Sequence, residues 1–396
     1  MPIPTAITRL PERTTELGAL LKTWAEINSG SGHLAGLDRM RAALRSAFSS
    51  IPGVIIEELP CAGTAAALRI SIRPAAKFRI LLSGHFDTVY EANDPFQHCR
   101  WLDSERLNGP GVADMKGGLV TLLAALQSFE VTPHADTIGW DVLLTPDEET
   151  GSHGSAHLLR AAPSRVHFGL VFEPARPNGN IVQSRMGTGG AIITCHGRAA
   201  HAAKVPNDGC NAILALAEFL LAAQKIPAEL PGVLLTVANI RGGGPATNVV
   251  PDFAQSELDL RVTQFTDRAL LTDRLNTLAS PINARAGYRL AVDVRFNRPP
   301  KECLPAEEKL FPEWQRAAHD LGLAPFTWVH TGGASDGNFL AAAGLPSLDG
   351  VGPIGDQLHS AREFIIVPTI AQRAQVVALC LHRLAAGEII LPHVGA

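Results

Sequence analysis

Apolar positions along this chain fall into two textures. Short uninterrupted runs occur in FRILLSG (78–84), WDVLLTP (140–146) and FGLVFEP (168–174). Runs of that length, bounded by Gly or Pro, suit strands buried on both faces. Helical spacing appears in LGALLKTWAEI (17–27), LDRMRAALRSAF (37–48), GGLVTLLAALQSF (117–129) and GSAHLLRAA (154–162). The alternation predicts an α/β domain with a central, mostly parallel sheet flanked by helices. Near Gly187 the texture changes. Residues 187–298 read as strand, helix, strand, strand, helix, strand, the order of a ferredoxin-like α+β unit. The expected organisation is a main domain in two parts, 1–186 and 299–396, with the 187–298 unit inserted. Helices near 310–321 and 371–384 return to the main domain.

Composition narrows the field of partners. Of 396 residues, 46% are hydrophobic and 18% charged, enough apolar material for a large core. The formal net charge of -4 gives no reason to expect nucleic acid or a membrane surface as partner. The six cysteines are scattered without a CxxC pair, which suits free thiols in a reducing compartment. The opening residues lack a basic start followed by a long apolar run, so no signal peptide is expected. The apolar stretch 213–223 is too short to span a bilayer. A soluble, cytoplasmic protein is the expectation.

Candidate chemistry sits where the buried strands end, the edge at which open α/β sheets place ligands. In LLSGHFDTV, His85 and Asp87 lie two apart and point the same way in extended chain. A metal-ligating histidine commonly donates its second ring N–H to a carboxylate, so Asp87 behind His85 fits that arrangement, although a polar turn accounts for either residue alone. In GPGVADMKGGL, Asp114 stands on a Gly-rich turn before a helix, where it can bridge two cations or simply cap the helix. In LLTPDEETGS, three consecutive acids follow an apolar strand and repel one another unless cations or solvent intervene. Adjacent residues point to opposite sides, so Glu148 and Glu149 divide their roles: one binds metal, the other stays available as a base. Glu173 ends the strand LVFEP, and His359 lies in the loop IGDQLHSAREF. His85, Asp114, Glu149, Glu173 and His359 together offer two imidazoles and three carboxylates. That mixture suits two divalent ions, zinc first, with cobalt or manganese as alternatives.

The ordered motifs GHFDTV, GVADMKGG, TPDEETGS, FEP, GRAAHA, NVVPD with a later DLR, GGASD and LHSARE resemble the co-catalytic di-zinc family of aminoacylases and carboxypeptidases. That family includes acetylornithine deacetylase, succinyl-diaminopimelate desuccinylase and the glutamate carboxypeptidases. The resemblance runs from about Leu17 to the C-terminus. It implies one metal held by His85, Asp114 and Glu173, and a second held by Asp114, Glu149 and His359. It implies Asp87 as the residue orienting His85, and Glu148 as the general base on the attacking water. His201 would stabilise the oxyanion from the inserted domain, and Asn248, Arg261 and Arg298 would contact the substrate's carboxylate. The implied substrate is an N-acyl amino acid, a small peptide or a folate-like conjugate with a free carboxylate. The implied assembly is a homodimer through the inserted domain. Glu173, rather than Asp, resembles the deacylase and carboxypeptidase members more than the di- and tripeptidases. The stretch after FEP carries Arg176 and Arg185 but no Lys, unlike the folate-type glutamate carboxypeptidases. Biosynthetic deacylation, carbamoyl-amide hydrolysis and a catalytically silent ligand binder are the competing expectations.

Overall fold

The computed structural model describes residues 2–204 and 208–390. The chain forms two compact units. One comprises Met1–Ser184, Cys303–Thr331 and Ser335–Ala396; the other comprises Arg185–Glu302 with Gly332–Ala334.

The first unit is built on an eight-stranded sheet. Its order is Ile55–Leu59, Ala67–Ile72, Gly139–Thr145, Arg79–His85, Phe168–Val171, Ser347–Asp349, Ile181–Arg185 and Trp328–Thr331. The four strands from Gly139–Thr145 to Ser347–Asp349 pair in parallel, and antiparallel strands extend the sheet on both sides. Every residue of Arg79–His85 and Gly139–Thr145 is buried, as uninterrupted apolar runs between covering layers require. The helix Gly117–Phe129 is buried along nearly its whole length and packs against the C-terminal helix Pro368–Ala385. Its start needs glycine. A Cβ at Gly118 would lie 2.0 Å from the Phe172 carbonyl oxygen, and one at Gly117 would lie 2.3 Å from the Ile365 side chain. The first helical turn therefore sits directly against the end of the strand that leads to Glu173. A small sheet joins Gly355–Asp356, Phe364–Ile366, Arg106–Asn108 and Arg100–Trp101, with Phe364 opposite Asn108.

The second unit is a four-stranded sheet in the order Val233–Gly242, Phe253–Val262, Gly187–His196, Arg289–Arg298, with every pair antiparallel. Numbered along the chain, that order is 2-3-1-4, and the helices Ala212–Ala223 and Asp267–Asn283 complete the ferredoxin-like pattern. Asn211 starts the first helix by accepting a hydrogen bond from the Leu214 N–H at 3.2 Å. Burial alternates along Phe253–Val262: Ala254, Ser256, Leu258, Leu260 and Val262 face the core, and their neighbours face outward. The edge strand Val233–Gly242 leaves Leu234, Val237 and Ile240 exposed. No described helix is long and apolar enough to cross a membrane.

Candidate metal centre

Parallel register brings the ligand candidates to one edge of the sheet. His85 is the last residue of its strand and lies opposite Thr145, three residues before Glu148. Ser83 lies opposite Val171, two residues before Glu173. Asp114 arrives on the loop that precedes the helix Gly117–Phe129, and His359 on the loop before Phe364–Ile366. The Asp114–Met115 peptide bond is cis.

The Asp114 carboxylate stands between the two imidazoles. Its Oδ1 lies 3.1 Å from His85 Nε2, and its Oδ2 lies 3.2 Å from His359 Nε2. Glu173 Oε1 is 3.7 Å from His85 Nε2, and Glu149 Oε2 is 3.2 Å from His359 Nε2. The five residues thus fall into two groups that share Asp114: His85, Asp114 and Glu173 on one side, and Asp114, Glu149 and His359 on the other. Donor atoms around a tetrahedral zinc with bonds of about 2.0–2.1 Å stand about 3.3 Å apart, so these separations match ligands converging on a common ion. His85, Asp114 and Glu149 also present ligand atoms that all lie within 4.8 Å of one another. Glu149 Oε1 is buried with no hydrogen-bond partner among the described residues. An acceptor in that condition is costly in a protein interior and is satisfied by a cation. The donor set fits a pair of divalent ions.

The surrounding carboxylates favour the charged form of both imidazoles. Burial opposes charge on His85, but hydrogen bonds to Asp114 and Asp87 outweigh it and raise its pKa well above the usual value. Hydrogen bonds to Asp114 and Glu149 push His359 up to about 11. Burial would raise Asp114, yet the hydrogen bonds from His359 and His85 hold it well below the usual carboxylate range. Glu149 is raised by burial and by the charge of Asp114.

Asp87 organises the other side of His85. The His85 Nδ1 atom is 3.1 Å from the Asp87 carbonyl oxygen and 3.2 Å from its Oδ1. The same carboxylate accepts the backbone N–H groups of Glu148 and Glu149, each at 3.1 Å, and the Ser31 hydroxyl at 2.8 Å. One buried acid therefore fixes both a candidate ligand histidine and the turn carrying Glu148 and Glu149. Glu148 is itself buried, one residue from a metal-ligand candidate. Asp147 plays a different part from its two neighbours: it accepts from the Gly154 N–H and the Ser155 hydroxyl and braces the turn from behind. Asp336, from GGASD, accepts the hydroxyls of Thr145 and Ser152 at the two ends of the same segment. Lys116 is buried, which lowers its ammonium pKa to about 7, and donates to the Ile27 carbonyl at 2.8 Å.

The remaining candidates belong to the second unit. His201 and Asn248 are neighbours there: His201 bridges Val249, and the Ala202 N–H donates to the Asn248 carbonyl at 2.9 Å. The Ala203 N–H donates to His201 Nδ1 at 3.2 Å. That bond makes Nδ1 an acceptor, so the neutral ring carries its proton on Nε2. Arg261 and Arg298 both register against Thr188, from opposite sides of its strand. Arg261 is held by Asp259 through a 3.0 Å ion pair. Arg298 is buried.

Sequence reading assigns no role to Ser31, Tyr90, Asp336 or Glu363. Two of them carried a visible signal: Asp336 as the acid of GGASD, and Glu363 as the acid four residues after His359 in LHSARE.

The chain is similar to known proteins in both sequence and fold. The model of peptidase family M20/M25/M40 matches residues 81–383. Carboxypeptidase G2 of Pseudomonas sp. (strain RS-16) is 26% identical over 392 residues, covering 95% of this chain and 91% of that protein. Succinyl-diaminopimelate desuccinylase of Pseudoalteromonas atlantica is 31% identical over 295 residues, covering 71% of this chain and 76% of that protein. The crystal structure of aminopeptidase PepT from Bacillus cereus superposes with a TM-score of 0.79 at 21% identity, covering 94% of this chain and 99% of that one.

Proposed function

The chain belongs to peptidase family M20/M25/M40, and from that membership we propose that it hydrolyses the amide bond beside a free carboxylate. The substrate class is an N-acyl amino acid, or a small peptide or folate-like conjugate that loses its C-terminal residue. One observation carries the reading: Asp114 stands between His85 and His359, each imidazole has a further carboxylate beside it, and Glu148 adjoins one of those carboxylates in the same turn.

Two bound divalent ions, zinc by preference, would supply Lewis acidity and make water acidic enough to attack near neutral pH. His85, Asp114 and Glu173 would hold one, and Asp114, Glu149 and His359 the other. Glu148 takes the proton from the attacking water and passes it to the leaving nitrogen. Asp87 keeps that turn and His85 in register. His201 donates from Nε2 to the developing oxyanion. Arg261 and Asn248, with Arg298, hold the substrate's carboxylate; a planar guanidinium suits that bidentate contact.

Arg261→Ala is expected to raise KM about 10- to 100-fold for substrates with a free carboxylate, the worth of a hydrogen bond to a charged group. Esterified analogues should be nearly unaffected. Equal losses on both, in steady-state kinetics, would remove the carboxylate clamp from the reading. A panel of N-acyl amino acids, dipeptides and carbamoyl amino acids, run on metal-loaded protein, tests the activity itself. Turnover confined to carbamoyl substrates, or absent throughout, refutes it. A biosynthetic deacylase is the second reading, favoured by similarity to a protein named as a desuccinylase; N-succinyl and N-acetyl diamino acids in the panel separate it.

We also propose a homodimer through the second unit. Its edge strand is ten residues long and presents Leu234, Val237 and Ile240 to solvent beside unpaired backbone groups, a surface that natural proteins cover. Ile240→Lys should shift the particle mass from dimer to monomer by light scattering; an unchanged mass contradicts this interface. The six free cysteines fit the reducing cytoplasm as its compartment.

A further inference from the structure

The loops that bring Asp114 and His359 together meet on a single buried acid. Glu363 immediately precedes the strand Phe364–Ile366, which pairs with Arg106–Asn108, so the small sheet lays the His359 loop beside the Asp114 loop. The Glu363 carboxylate closes the gap. Its Oε1 accepts the N–H groups of Ala113 at 2.8 Å and Asp114 at 3.0 Å; its Oε2 accepts the N–H of Gly111 at 3.1 Å. The Tyr90 hydroxyl lies 2.7 Å from the same Oε2 and 2.9 Å from the Ser360 carbonyl, the residue after His359. The Glu363 main chain adds to the join. Its N–H donates to the Ser360 carbonyl at 2.9 Å, and its carbonyl accepts from the Asn108 amide at 2.6 Å. Glu363 is 0% exposed, so none of these donors can turn to water instead.

We propose that Glu363 is a positioning residue that locks the Asp114 loop to the His359 loop, so that the ligands of the second ion form as one unit. The inference rests on the two-ion reading and adds an asymmetry to it. His85 and Glu173 sit at strand ends that Glu363 does not touch. In the other group, Asp114 and His359 both depend on it. Loss of Glu363 must therefore weaken the ion at Asp114, Glu149 and His359 more than its neighbour.

The test titrates metal-free protein with Co2+ and follows the visible absorption of the bound ion, with enzymatic activity as a separate readout. Wild-type protein should take up two equivalents. In Glu363→Ala the second equivalent should bind about 10- to 100-fold more weakly, the usual scale for removing a group that holds a ligand, while the first, which shares only Asp114 and keeps His85 and Glu173, weakens less. Excess Co2+ should then restore the missing absorption, which a globally damaged protein would not show. Glu363→Gln can keep the Oε1 contacts to Ala113 and Asp114 while turning its amide toward Gly111 and Tyr90. It should fold where the alanine variant does not, and should show the same split, smaller in size. Equal weakening of both ions, or two ions bound by Glu363→Gln as tightly as by wild type, overturns the proposal. Fewer than two equivalents in the wild-type protein would instead strike the two-ion reading itself.

Discussion

Glu148→Gln should keep its full complement of metal and lose turnover by about 10²- to 10⁴-fold, the range that a positioned general base supplies. In barrier height that is about 3–5 kcal/mol, at 1.36 kcal/mol per factor of ten. Glutamine preserves the volume and the backbone N–H that Asp87 accepts at 3.1 Å, so the turn and the neighbouring Glu149 stay in place. Only the capacity to take a proton disappears. KM should change little, because the proton moves after substrate has bound. Metal analysis beside steady-state kinetics decides the matter: a variant near the wild-type rate removes Glu148 from the chemistry, and a variant that has lost metal makes it a ligand.

Chelation should abolish activity altogether, and Zn2+ or Co2+ should restore it. Three carboxylates, Asp114, Glu149 and Glu173, are packed here around two histidines. Bound cations answer that concentration of negative charge, so their removal should also lower the melting temperature, by mass action on the folded state. Restoration of both activity and thermal stability by the same metal would tie the two effects to this centre. Full activity in thoroughly chelated protein would end the two-ion account.

The long apolar runs announce their own elements. The helical spacing over 117–129 becomes the helix Gly117–Phe129, and the run 78–84 becomes the strand Arg79–His85. The outer strands Ile55–Leu59 and Ala67–Ile72 are nearly silent in the pattern. Glu57 and Arg69 pair across them, and Glu58 pairs with Arg41 and Arg45; such charged positions break an apolar run. The ligand turns are legible because acids and histidines placed directly after buried strands are expensive unless something pairs with them. The contacts of the supporting groups are not. Ser31 reaches Asp87 across 56 residues, and Glu363, visible only as the acid of LHSARE, reaches the Asp114 N–H across 249. No local spacing encodes such a contact; only the folded sheet makes it. The Asp259 partner of Arg261 was equally hidden, although the two residues stand only two apart, since a charged pair on an outward strand face has no special pattern.

His85, Asp114, Glu149 and Glu173 all precede the second unit in the chain, whereas His359 follows it. A polypeptide still leaving the ribosome therefore carries four of the five proposed ligands through the synthesis of an entire intervening unit before the last arrives. The helix Pro368–Ala385, which covers Gly117–Phe129, is made later still. Any nascent chain stalled before residue 359 is an incomplete chelator with exposed apolar surface, a form that depends on prompt completion or on chaperones to escape aggregation.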